Sequence, residues 1–345
     1  SSMMIVMKSK ATEDEIKHIV GKIEEAGAKA HLSQGKYKTI IGAIGDITLI
    51  DRDVLKGFGG VEDVVPISKP YKLVSLEFKR EPTEIKVGDT VIGGDNFTVM
   101  AGPCSIENEK QAFEAAKVVK KAGAHILRGG AFKPRTSPYS FQGLGEEGLK
   151  ILKNISDETG LPVVTEVLDP RDADLVAEHA DILQIGARNM QNFVLLTEAG
   201  ATKKPILLKK SFSCTIEELF MAAEYILKTG NEKVILCERG IRTFENYTRN
   251  TLDLSAVPLI KSLSHLPIIV DPSHATGKRE LIEPLSLAAM MVGAHGIIVE
   301  MHPFPEDALC DGPQSVTSVQ FEEMMGKIKN LAKFLGKQGN FDGQS

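Results

Sequence analysis

Cys104, His274, Glu300 and Asp311 supply one thiol, one imidazole and two carboxylates from distant parts of the chain. Together these S, N and O donors suit a borderline divalent cation such as Mn²⁺, Fe²⁺, Co²⁺ or Zn²⁺. They form no sequence-local metal motif, and taken singly a cysteine is often an inert core residue and a histidine a satisfied one. Cys104 could also act as a covalent nucleophile, a role ranked below ligation because neighbouring acids and a histidine suit a shared ion. A second set is cationic: Arg128, Lys133, Arg135, Arg188, Lys209 and Arg239. Guanidinium forks and ammonium groups match phosphate and carboxylate oxygens, so the expected ligand is a small polyanion. Each alone could be solvated or paired with an acid such as Glu166 or Glu238, but six at one mouth are poorly explained that way. Cys214, Cys237 and Cys310 are assigned to core or loop packing, although Cys310 adjoins Asp311. Gly129-Gly130 is either a close backbone approach or a simple turn.

These residues fall at the ends of short apolar runs. Strands are read at Phe97 to Ala101, His125 to Arg128, Pro162 to Glu166, Ile182 to Ile185, Pro205 to Lys209, Lys233 to Glu238, Pro267 to Asp271 and Gly296 to Glu300. Helical segments intervene, among them Glu109 to Lys121, Thr215 to Lys228 and Arg279 to Val292. Eight such repeats indicate an α/β, (β/α)₈ TIM barrel over residues 97–338, with a doubly wound open sheet as the second choice. In a barrel, the groups listed above gather where the strands end and the βα loops begin. Residues 3–69 read as strand, helix, strand, strand, helix, strand, a small α+β ferredoxin-like unit in which Thr12 to Glu15 has capping-box spacing. Residues 70–96 read as a polar linker from Pro70 to Glu84 and then a hairpin around Gly88-Asp89 that could cap the bottom of the barrel.

With 345 residues, 42% hydrophobic and 25% charged, the chain is a globular protein. No apolar run approaches the roughly 20 residues of a membrane helix. Forty-one basic against 46 acidic residues give a net charge of -5, which offers no reason to bind nucleic acid or an anionic membrane. Four scattered cysteines argue against a disulfide framework and for a reducing cytoplasm. Ser1 and Ser2, ahead of two methionines, read as a cloning remnant.

The segments Ala101-Gly102-Pro103-Cys104-Ser105, Lys133-Pro134-Arg135-Thr136-Ser137, Gly186-Ala187-Arg188-Asn189, Asp271-Pro272-Ser273-His274 and Glu300 through Asp311-Gly312 resemble those of the type Iβ 3-deoxy-D-arabino-heptulosonate 7-phosphate (DAHP) synthases. The front unit resembles the ferredoxin-like, ACT-type regulatory extension carried by some members. The resemblance implies a metal-dependent condensation of phosphoenolpyruvate with erythrose 4-phosphate, the first step of the shikimate pathway. It assigns Cys104, His274, Glu300 and Asp311 to the metal. It assigns Arg128, Lys133, Arg188, Lys209 and Arg239 to phosphoenolpyruvate, and Arg135, Thr136 and Ser137 to the phosphate of erythrose 4-phosphate, with Pro134 fixing the turn. Ala187 and Asp271 belong to the same substrate-binding motifs. Lys133 would give a proton to the aldehyde oxygen, while Glu166 or His302 would handle water protons. It further implies feedback inhibition by tyrosine or phenylalanine and a homotetramer. The sister family, 3-deoxy-manno-octulosonate 8-phosphate synthase, takes arabinose 5-phosphate and typically reads Lys-Ala-Asn-Arg-Ser/Thr where this chain has Pro134 and Arg135. A non-catalytic sensor of phosphorylated metabolites is the rival from another class, disfavoured by the full set of metal ligands.

Overall fold

A computed structural model describes residues 2–34, 38–45, 47, 49–67 and 69–343, so Ser1 of the expected cloning remnant lies outside the described residues. The chain divides into two compact units, Ser1–Pro70 and Tyr71–Ser345. In the first, β1 (Ser2–Met7), α1 (Glu13–Glu25), β2 (Lys29–Gln34), β3 (Thr39–Ile44), α2 (Arg52–Lys56) and β4 (Val61–Ile67) follow in the expected order. The strands pair antiparallel in the order β2-β3-β1-β4, the ferredoxin-like arrangement. The α1 capping box forms: the Thr12 hydroxyl accepts from the Glu15 N–H at 3.2 Å, and the Glu15 carboxylate accepts from the Thr12 N–H at 2.9 Å. Ile16, Ile19 and Ile23, at helical intervals, then meet Met3, Ile5 and Met7, which alternate along β1, in one core.

The second unit opens with β5 (Ile85–Val87) and β6 (Thr90–Ile92), an antiparallel hairpin. The barrel strands are β7 (Thr98–Gly102), β8 (Ile126–Arg128), β9 (Val163–Glu166), β10 (Ile182–Ile185), β11 (Ile206–Lys209), β12 (Val234–Glu238), β13 (Ile268–Val270) and β14 (Gly296–Glu300). All eight are parallel and close on themselves, β14 pairing with β7. Between and after them run α3 (Glu109–Lys121), α4 (Glu146–Thr159), α5 (Ala173–His179), α6 (Phe193–Ala201), α7 (Ile216–Leu227), α8 (Ala256–Leu263), α9 (Pro272–Thr276), α10 (Arg279–Met291) and α11 (Ser318–Leu335). Strands expected to begin at Pro162, Pro205 and Pro267 begin one residue later, since proline has no N–H for the ladder. Asp271, expected inside a strand, instead caps α9, its carboxylate accepting from the His274 N–H at 2.9 Å.

Period-two alternation sorts the strands into two cores. Val99, Leu127, Val163, Leu183, Leu208, Leu236, Ile268 and Val299 face outward and pack with the helices. Met100, Ile126, Val164, Ile182, Leu207, Ile235, Ile269 and Ile298 face inward, together with Cys237 and with Ile85, Val87 and Ile92 of the hairpin. The hairpin thus joins the interior layer from the side of the strand starts. The expected polar linker differs from its sequence reading. From Tyr71 onward it packs on the barrel unit: Tyr71 and Val74 are buried, the Glu224 carboxylate accepts from the N–H groups of Lys72 and Val74, and Thr83 N–H donates to His265 O at 2.8 Å. Its charged residues had hidden its two apolar anchors. No helix among the described residues is long and apolar enough to cross a membrane.

Candidate active site

The alternation that builds the interior layer also builds the site. Two residues beyond the inward apolar side chains, at the C-terminal ends of the strands, stand Gly102 after Met100, Arg128 after Ile126, Glu166 after Val164 and Gln184 after Ile182. Lys209 follows Leu207, Arg239 follows Cys237, Asp271 follows Ile269 and Glu300 follows Ile298 in the same way. Apart from Gly102, a polar ring therefore lies on an apolar floor.

Cys104, His274, Glu300 and Asp311 converge, each offering a ligand atom within 4.8 Å of the others. His274 is on α9, whose cap is Asp271. The Asp271 carboxylate also lies 2.7 Å from His274 Nδ1, which turns Nε2 toward Glu300 Oε1 at 2.8 Å and Asp311 Oδ2 at 3.8 Å. Burial alone would push the imidazole down, but Asp271 and Glu300 overcome it and raise His274 to about 10. Burial likewise opposes ionisation of Glu300, yet His274 and Arg128 hold its carboxyl well below the usual range. Cys104 lies 3.1 Å from Asp311 Oδ2 and 3.0 Å from Cys310 Sγ, and the contact with Cys310, then burial, raises its thiol. Asp311 adopts a left-handed backbone (φ 50°). A soft sulfur, an oriented imidazole and two acids drawing in positive charge are the donor set and field of a divalent cation site, so these residues fit a metal.

Beside this cluster opens a cavity of about 570 Å³ lined by Lys133, Pro134, Arg135, Thr136, Ser137, Glu166, Ala187, Arg188, Lys209 and Arg239, and by His274 and Asp311. Arg188 ties two of its walls, donating to Pro134 O at 2.8 Å and to Thr136 Oγ1 at 3.2 Å. Arg135 donates to Phe141 O at 3.1 Å. Lys209 pairs with Asp271. Lys133 is buried, and although burial favours its neutral form, Cys104 and Glu166 raise it. Glu166 is buried, with Oε1 accepting from Gln184 Nε2 at 3.1 Å and Oε2 without a partner among the described residues. At Gly130 a Cβ would stand 2.4 Å from Lys133 Cδ and 2.6 Å from Cys104 O, so this glycine serves the close approach of two loops.

Three expected site residues lie elsewhere. Arg128 is buried against Glu300 at 3.1 Å and does not line the cavity. Asp271 is behind Lys209 and His274, where it orients both. His302 is away from the cavity: its Nδ1 accepts from the Phe304 N–H at 2.9 Å and its Nε2 faces the Glu107 carboxylate at 3.3 Å. Conversely, Gln184, Phe212, Arg242, Arg249 and Asn250 line the cavity without having been singled out, and Cys310, assigned above to core or loop packing, lines it too beside Cys104. Arg242 stacks on Phe212, 4.6 Å from the ring centroid. The signal for Arg242, Arg249 and Asn250 was the long, helix-free and arginine-bearing stretch after Glu238, which a barrel makes into a βα loop.

Two family matches divide the chain as the fold does: the DAHP synthase ferredoxin-like domain over residues 3–69 and the DAHP synthetase I family over residues 74–335. A phospho-2-dehydro-3-deoxyheptonate aldolase of Thermotoga maritima is 54% identical over 98% of this chain and 100% of its own length. The crystal structure of the Thermotoga maritima protein of that name, also titled DAHP synthase, superposes with a TM-score of 0.81, covering 98% of this chain and 99% of that one. A 2-dehydro-3-deoxyphosphooctonate aldolase of Syntrophobacter fumaroxidans is 33% identical over 72% of this chain and 91% of its own length.

Proposed function

Since the chain belongs to the DAHP synthetase I family, whose activity opens the shikimate pathway, we propose that it condenses phosphoenolpyruvate with erythrose 4-phosphate, releasing phosphate, with a divalent metal at Cys104, His274, Glu300 and Asp311. The observation that carries this reading is the juxtaposition of a mixed S/N/O donor cluster with a cavity walled by cations. The greater identity and coverage of the heptonate relative over the octonate one, with Pro134 and Arg135 in the cavity wall, favour erythrose 4-phosphate as the acceptor.

Lys133, Arg188, Lys209 and Arg239 would hold the phosphate and carboxylate of phosphoenolpyruvate, and Arg135, Thr136 and Ser137 the phosphate of the aldose. Two polyanions cannot approach one another in a small cavity without such neutralisation, and fixed cations also align the methylene carbon with the aldehyde. Arg188 serves both ends, since it hydrogen-bonds the loop that carries Arg135 and Thr136. The metal, when bound, polarises the aldehyde oxygen as a Lewis acid. Lys133, kept protonated by its acidic neighbours, would deliver a proton to that oxygen. Glu166, a carboxylate of the cavity wall whose buried Oε2 has no partner among the described residues, would accept a proton from the water that adds to the former enol carbon. Arg128 and Asp271 act one step back, holding Glu300 and the Lys209–His274 pair. The front unit would bind tyrosine or phenylalanine as an inhibitor, and the enzyme would work as a cytoplasmic homotetramer.

Product formation from phosphoenolpyruvate with erythrose 4-phosphate, run beside arabinose 5-phosphate, decides the matter. Turnover of the tetrose that a strong chelator abolishes and Mn²⁺ restores is expected. Turnover of the pentose alone would move the chain to the sister activity, and turnover of neither would leave a sensor.

A further inference from the structure

Glu300 is fully buried, and its two oxygens are held differently. Oε1 receives Arg128 and faces His274, whereas Oε2 accepts from Gln314 Nε2 at 2.7 Å. Gln314 is itself buried, in the one-turn helix that Asp311 begins, and its N–H donates to Asp311 O at 3.2 Å. Its amide orientation follows from its neighbours. The Glu300 carboxylate can only accept and Arg249 can only donate, so Nε2 points at Glu300 while Oε1 accepts from Arg249 Nη1 at 3.4 Å. The main chain that carries Arg249 is fixed in turn, because the N–H groups of Arg249 and Asn250 donate to Thr276 O at 3.1 Å and Ala275 O at 2.7 Å, both on the helix that carries His274.

We propose that Gln314 is a positioning residue for the metal cluster: its side chain sets the rotation of the Glu300 carboxylate, its backbone is turned with Asp311, and Arg249 locks its amide from the cavity side. This role presupposes the metal site proposed above. A buried carboxylate free on one side would rotate toward Arg128 or His274, and the donor set would lose its geometry even with all four ligands present. Outer hydrogen-bond partners of metal ligands typically carry about 10- to 100-fold in metal affinity.

The test titrates the full-length chain, stripped of metal, with Co²⁺ alone. The wild type is expected to take up one Co²⁺ per chain with a thiolate-to-metal absorption band. Gln314→Met, similar in volume but unable to make either hydrogen bond, should bind about 10- to 100-fold more weakly and show an altered Co²⁺ spectrum. Arg249→Ala should weaken Co²⁺ binding less, and should add nothing in the Gln314→Met background, because both act through the same amide. A Gln314→Met protein with wild-type Co²⁺ affinity and spectrum overturns the role. Should that variant fail to fold, Arg249→Ala decides, since Arg249 is exposed, and an unchanged affinity there overturns it as well. A wild-type chain that takes up no Co²⁺ removes the metal site itself and this role with it, a result distinct from the others.

Discussion

Glu238 ends β12 on the outer side of the barrel wall, in the alternation class of Leu236 and next to Arg239 of the cavity. Its Oε1 accepts from the Gly240 N–H at 2.9 Å, but its Oε2 is buried without a partner among the described residues, and burial raises its carboxyl from 4.5 to about 7. A folded-state pKa above the unfolded one means that the native state holds a proton which the unfolded chain has already released. Stability is then highest below about pH 4.5 and declines as pH rises toward 7, by about 3 kcal/mol for this group. Glu238→Gln keeps the acceptor for Gly240 and removes the charge. It should raise thermal stability above pH 7 and flatten that decline. Melting curves of both proteins from pH 4.5 to 8 check this, and parallel profiles would sink it. At this scale the cationic set was legible from residue type and strand-end position, since Lys133, Arg135, Arg188, Lys209 and Arg239 all reach the cavity. Arg128 has the same type and the same kind of position, yet it is buried on Glu300, because only the neighbouring strand ends determine which way the charge is neutralised.

Among the elements, the β5–β6 hairpin has the clearest mechanical part. Ile85, Val87 and Ile92 complete the interior layer at the end opposite the cavity, so the polar ring rests on a floor that the hairpin seals. Ile92→Ala opens a void in that floor and should cost about 2–5 kcal/mol, read by denaturant unfolding. The cation positions lie at the other end of the strands, so the KM for phosphoenolpyruvate should stay close to wild type. A stability loss well under 1 kcal/mol would show that the hairpin merely lies on the surface. The hairpin was legible because two apolar triplets flank a Gly-Asp turn. Residues 71–84 were not, because the buried Tyr71 and Val74 are dispersed among charged neighbours whose backbone partners, Glu224 and His265, are remote in sequence.

At the scale of the whole molecule, the front unit carries its own core and sheet, and its residues 3–69 match a domain of their own. Under the regulation proposed above, removing residues up to Lys69 should leave condensation intact and abolish inhibition by tyrosine or phenylalanine. Steady-state assays of the full and shortened chains with each amino acid settle the point, and equal sensitivity in both would place the effector site in the barrel unit.

The division of labour between chain order and folding is plain in the same residues. Apolar runs of strand length with intervening helical periodicity determined the eight strands and the barrel, because burial on both faces leaves a local composition signal. Motif residues pointed to Cys104, His274, Glu300 and Asp311 as candidate ligands, and the fold brings these four side chains together. What only the tertiary structure decided is which groups share a face across the barrel: that Cys310 meets Cys104, that His302 turns to Glu107, that Arg242 and Arg249 line the cavity, and that Gln314 holds Glu300. Those contacts join strands and loops far apart in the chain, and their geometry arises from barrel closure, which imprints no pattern on neighbouring residues.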